Sequence, residues 1–149
     1  MMNVWCPFPN VTQNVQTLND SHLADVVWQG LDALRAIPRG KVDGRQVRMW
    51  ADAPAALLHY VLRAEAELRR RGVGEEPRVR RAFTWYGRIG YSLAPVPPWW
   101  YGNPMFHSTQ RSRLISIDPV HYARRMPLTT PLDLAFIWPL ETPHEWAYK

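Results

Sequence analysis

Between Leu18 and Leu34 the apolar residues return every three or four positions, at Leu23, Val26, Val27, Gly30, Leu31 and Leu34. That period predicts an amphipathic helix, started by Asn19 or Asp20 and stopped at Pro38 and Gly40. His22, Asp25, Gln29 and Asp32 fall on its opposite side. A second periodic run, "AALLHYVLRAEAELRRR", predicts a helix from near Asp52 to Gly72. Pro54 is tolerated in its first turn, and Leu58, Val61, Leu62 and Leu68 turn inward. Glu65 and Arg69, and Glu67 and Arg71, stand four apart in the favourable order. A third helical segment is expected over 77–90, with Val79, Phe83, Tyr86 and Ile89 inward. Asn103 and Pro104 read as the cap and first residue of a fourth helix. Asp118 and Pro119 open a short fifth turn or helix.

Other stretches resist a helix. Residues 3–12 contain Pro7 and Pro9 and are expected to be extended. Residues 38–49, "PRGKVDGRQVRM", read as a basic loop, and "APVPPWWYGNP" at 94–104 as a stiff one. The tail "TTPLDLAFIWPLE" reads as a packed turn followed by an apolar strip. No segment sustains the alternation of a strand, and no repeat or linker divides the chain. The expected fold is all-α: one compact domain over 1–149, of four to five helices.

Composition narrows the function. Hydrophobic residues make up 46% and charged residues 21%, the balance of a globular domain. A single cysteine, Cys6, excludes a disulfide framework and a cysteine-built zinc site, and makes a reducing cytosol the simplest home. No apolar run is long enough to cross a bilayer, and "MMNVWCPFPN" has neither a basic leader nor a long apolar stretch, so no membrane partner is expected. The formal charge of +5 favours an anionic partner, most often nucleic acid. There is no phosphate-cradling glycine loop and no HExxH, and the five histidines are scattered, so neither a cofactor nor a metal is expected.

Three groups of residues are candidates for function. The polar side of the first long helix (His22, Asp25, Gln29, Asp32) is either a water-facing surface or a site. Arg69, Arg70 and Arg71, followed by Arg78, Arg80, Arg81 and Arg88 and later by Arg111 and Arg113, either contact phosphates or only solubilise helix faces. Trp99, Trp100 and Tyr101 either offer a stacking surface for bases, or at least one of the tryptophans plugs the core.

These motifs occur in a particular order: "WCPFP" at 5–9, "LNDSHLADVVWQGL" at 18–31, "VRMW" at 47–50 and "PPWWYGNP" at 97–104. "HSTQRSRL" at 107–114, "DPVHY" at 118–122 and "DLAFIWP" at 133–139 complete it. The ordered set resembles the pyrimidine dimer DNA glycosylase family of the phage T4 endonuclease V type, in a divergent bacterial and phage branch. The resemblance implies a helical fold, a double-stranded DNA partner carrying a damaged or modified base, and catalysis by the free amine at the start of the chain. In that chemistry the amine attacks C1′ and displaces the base. A Schiff base forms and β-elimination then cuts the strand. A glutamate on the first long helix stabilises the developing positive charge.

Carried over residue by residue, the amine falls on Met1 or Met2 and the glutamate on Gln29. An amide has the shape of the acid without its charge or basicity. Asp25, one turn earlier, is the available substitute carboxylate. The bulk of Met2 opposes removal of Met1, a second departure, and Gln110 stands where the pattern has a histidine. His22, Arg111, Ser112, Arg113, Arg69–Arg71, Trp99 and Trp100 are the expected nucleic-acid contacts. The resulting expectation is a DNA-binding protein with impaired base excision. The alternative is a non-catalytic factor that binds a host protein through its basic, Trp-rich surface.

Overall fold

The computed structural model describes residues 3–73 and 95–139. Met1, Met2, the helix expected over 77–90 with its arginines, and the last ten residues lie outside that range. Within it the elements are α1 (Val11–Thr17), α2 (Asp20–Ala36), a 3-10 turn (Ile37–Arg39), α3 (Arg45–Trp50), α4 (Pro54–Arg70), α5 (Pro104–Ile117) and α6 (Pro119–Tyr122). The described residues contain no strand, so the fold is all-α, consistent with a T4 endonuclease V-like scaffold.

The long helices start and stop on local signals. Asn19 caps α2, its side-chain oxygen accepting the His22 N–H at 2.8 Å. The chain leaves α2 through the 3-10 turn at Pro38, and Gly40 takes a left-handed φ of 68°. Pro54 opens α4 at a position where its missing N–H costs nothing. Asn103 caps α5 by accepting from Met105 and Phe106, and Asp118 caps α6 by accepting from His121.

α2 and α4 form the principal helix pair. Leu23, Val26, Val27, Leu31 and Leu34 of α2 are buried, as are Leu57, Leu58, Tyr60, Val61, Ala64 and Leu68 of α4. Gly30 sets their approach, because a methyl added there would overlap the Val61 side chain.

Two short helices replace expected irregular chain. α1 begins at Val11 within the stretch expected to be extended, and α3 occupies the second half of the basic loop. Neither has enough residues to be stable alone, so both depend on partners distant in sequence. Asn10 caps α1 from its own side chain. At its other end Arg71 donates to the Val15 and Leu18 carbonyls at 2.9 and 2.8 Å, and His121 Nε2 lies 2.8 Å from the Thr17 carbonyl. These are groups that a helix end leaves without internal partners, and cations favour that end.

The tail from Pro127 to Pro139 has no regular structure. Asp133 adopts a φ of 61°, and the next N–H, that of Leu134, donates to Ser112 Oγ at 3.0 Å. Phe136, Ile137 and Trp138 then pack against the core as the expected apolar strip.

Candidate active site and nucleic-acid interface

Residues 3–8, ahead of α1, are internal. Asn3, Val4, Trp5, Cys6 and Phe8 are all buried. A buried backbone must find partners for its N–H and C=O groups, and no neighbouring strand is present to supply them. Polar side chains from four helices do so instead. Gln46 of α3 accepts the Val4 N–H at 3.0 Å, Gln110 of α5 accepts the Cys6 N–H at 3.2 Å, and Asn14 of α1 makes reciprocal bonds with Phe8. Tyr60 of α4 donates to the Trp5 carbonyl, and Arg111 of α5 donates to the Pro7 carbonyl at 2.8 Å.

His107 completes this clamp. Its Nδ1–H donates to the Cys6 carbonyl at 2.8 Å, while its Nε2 accepts the Gly102 N–H at 2.9 Å. A carbonyl only accepts and an amide N–H only donates, so the ring is neutral with its proton on Nδ1. Burial lowers its pKa to about 4, against a smaller upward pull from the Cys6 carbonyl. The motif "HSTQRS" therefore holds the chain's beginning in register. Arg111 is half-buried, with its guanidinium 5.3 Å from the centre of the Phe8 ring. Ser112 is buried and anchors the tail.

On the polar side of α2, His22 and Asp25 meet this segment at Trp5, whereas Asp32 is exposed. His22 is only 7% exposed and lies between the Trp5 and Tyr122 rings. Tyr122 accepts the Asn19 N–H and its hydroxyl is hydrogen-bonded to His22 Nδ1 at 2.6 Å. Burial lowers the His22 pKa, with Asp25 and Asp118 pulling it back up. Asp25, half-buried, accepts the Trp5 indole N–H at 3.3 Å. Gln29 stands half-buried one turn further along the same face. Trp5 meets α2 at Asp25, and Val4 meets α3, which packs on α2.

Other expected contacts are committed elsewhere. Trp100 is 0% exposed. Its indole N–H donates to the Met49 carbonyl at 2.8 Å and its ring meets Trp50 edge-on, so it is the core plug and not a stacking surface. Trp99, 40% exposed, stays at the surface. Arg71 is 19% exposed and ties α4 to α1, Asp20 and Glu67. Arg69 pairs with Glu65 at 2.8 Å and Arg70 with Glu67 at 2.6 Å. The Arg70 hydrogen bond, joined by Arg71, holds the Glu67 carboxyl near 2. Arg113 projects outward from α5.

Several contributors had no signal in the sequence. Gln46 sits in a stretch that reads as loop, and Tyr122 lies a hundred residues from His22. Phe136 packs on Trp5 at 5.9 Å, Trp138 packs on Phe136 at 5.7 Å, and the Arg45 guanidinium lies 5.8 Å above the Trp138 ring. This aromatic relay joins the basic segment to the polar face of α2. Asn3 is buried with neither end of its amide partnered, and Gln46 Nε2 is likewise without a partner. Among the described residues no cluster of His, Cys, Asp or Glu could hold a metal ion, and no helix is long and apolar enough to cross a membrane.

An all-helical scaffold that fixes its own leading segment against a polar helix face defines a protein organised around the start of its chain. A family model described as pyrimidine dimer DNA glycosylase matches residues 2–81, a range that includes α1 to α4. The chain belongs to the pyrimidine dimer DNA glycosylase family. No curated protein and no solved structure matches it.

Proposed function

We propose that this protein binds duplex DNA, damaged or modified, on a base-excision scaffold whose chemistry is impaired at position 29. The observation that carries the reading is the face of α2. The clamped segment meets it at Asp25 through the Trp5 indole, and Gln29, one turn further along, is the residue that the resemblance aligns with the family's glutamate. An amine attacking C1′ builds positive charge on the sugar, and a neutral amide offers it a dipole where a carboxylate offers a full charge. Losing one such electrostatic contribution commonly lowers the rate on the order of 10²–10³-fold. Met2 supports the same conclusion, since its bulk opposes exposure of the second residue's amine. Asp25 is the remaining carboxylate on this face, and its hydrogen bond from Trp5 fixes it one turn before Gln29.

The test is borohydride trapping on abasic and ultraviolet-irradiated duplexes. Wild-type protein is expected to bind these duplexes and trap little covalent adduct, with Gln29→Glu raising the yield by about two orders of magnitude. Efficient trapping by the wild type that survives both Gln29→Ala and Asp25→Asn would remove the reading. Trapping that disappears only in Asp25→Asn would transfer the missing charge to Asp25.

A further inference from the structure

Between Asp32 and Arg48 the chain carries five cations and two carboxylates. Arg35 faces Asp32 across one helical turn, 3.8 Å away. Arg39 and Lys41 flank Gly40, which turns the chain outward with its left-handed φ, and both are exposed. Among the described residues neither side chain makes an ion pair or a hydrogen bond, and the Arg45 guanidinium has its ring contact with Trp138. Three cations within seven residues thus have no carboxylate partner among the described residues. The arginines at the end of α4 are the reverse case, each already held by Glu65, Glu67 or the carbonyls of α1.

Position gives these cations a use. Arg45 adjoins Gln46, which holds the Val4 N–H. Through Trp138, Phe136 and Trp5, Arg45 is also connected to Asp25. A continuous run of ring contacts therefore links the cationic edge at Arg45 to the Asp25 turn of α2. We propose that Arg39, Lys41 and Arg45 are the phosphate-gripping edge of this protein, taking the sugar–phosphate backbone of duplex DNA beside the candidate site. The run Arg69–Arg71 is structural. The inference rests on the DNA-binding reading above and narrows it to one edge.

Salt dependence separates the two readings. Each phosphate contact contributes about 0.9 to the slope of log affinity against log salt on B-form DNA. The variant carrying Arg39→Ala, Lys41→Ala and Arg45→Ala is expected to lose about 2–3 in that slope on an undamaged duplex. Arg69→Ala with Arg70→Ala is expected to keep the wild-type slope. Because the slope counts charges, Arg39→Lys with Arg45→Lys retains it, whereas a structural need for the Arg45–Trp138 contact would not be rescued by lysine. Thermal unfolding of each variant guards against loss of fold. A wild-type slope in the triple alanine variant overturns the inference and leaves the DNA-binding reading standing. Wild-type protein with no affinity for duplex overturns both.

Discussion

Two basic regions look interchangeable in the sequence and differ completely in the folded chain. The "HSTQRS" stretch of α5 and the arginines ending α4 turn inward or pair with glutamates, and they replace a missing β-ladder and cap α1. In the segment from Arg39 to Arg45 the three cations are exposed and have no carboxylate partner among the described residues. The lesson concerns what a cation is committed to. A guanidinium has five donors, and where an internal backbone offers carbonyls those donors are drawn to it before any ligand arrives. A count of positive residues ranks the two regions wrongly, while an inventory of their partners separates them.

The sharpest way to break this contrast is at Arg71. Arg71→Ala removes bonds to Val15, Leu18, Asp20 and Glu67 together, and should cost about 3 kcal/mol or more, measured by urea unfolding. A change below about 0.5 kcal/mol would mean that the inward region is no more committed than a surface one.

Acid probes the same region through His107. Its folded pKa, about 4, lies below the ordinary value of 6.5, so the unfolded chain binds the proton more readily. Stability is therefore complete above pH 6.5 and declines as the pH falls toward 4, by up to about 1.4 kcal/mol per unit. The burial-lowered pKa of His22 acts in the same sense. Unfolding free energies of wild type and His107→Gln at several pH values check this, and equal slopes in the two proteins would refute it.

Asn3 gives a smaller effect of opposite sign. Its amide is buried without partners, so Asn3→Leu is expected to stabilise the fold by about 1 kcal/mol. A loss of melting temperature would instead reveal a polar role for the clamped segment. Smallest of all, Arg39→Ala and Lys41→Ala should each move stability by less than about 0.5 kcal/mol while weakening DNA binding. Calorimetry together with a binding titration separates the two readouts.

What the sequence disclosed was local. Asn19, Pro54, Asn103 with Pro104, and Asp118 with Pro119 mark helix starts through contacts within three or four residues, and each start stands where expected. The inward leucines and valines of α2 and α4 follow from one period. What stayed hidden depended on contacts from about forty to a hundred residues apart. α1, "VTQNVQT", has little apolar periodicity and is completed by Arg71 and His121. α3 is six residues long, and its Gln46 matters because of Val4. His22 reads as a solvated residue until Tyr122 is brought over it. On the polar side of α2, the contacts of His22 and Asp25 with Trp5 are likewise made only by the folded chain.

Cys6 turns this architecture into a clock. Its thiol is wholly buried in the clamped segment, and burial raises its pKa, so a thiolate-directed reagent finds nothing to attack while the segment is seated. Alkylation must wait for Val4–Phe8 to lift away from Gln46, Tyr60, His107 and Gln110. The labelling rate of this single sulfur, followed by intact-mass spectrometry, therefore times the detachment of the leading segment without any engineered probe.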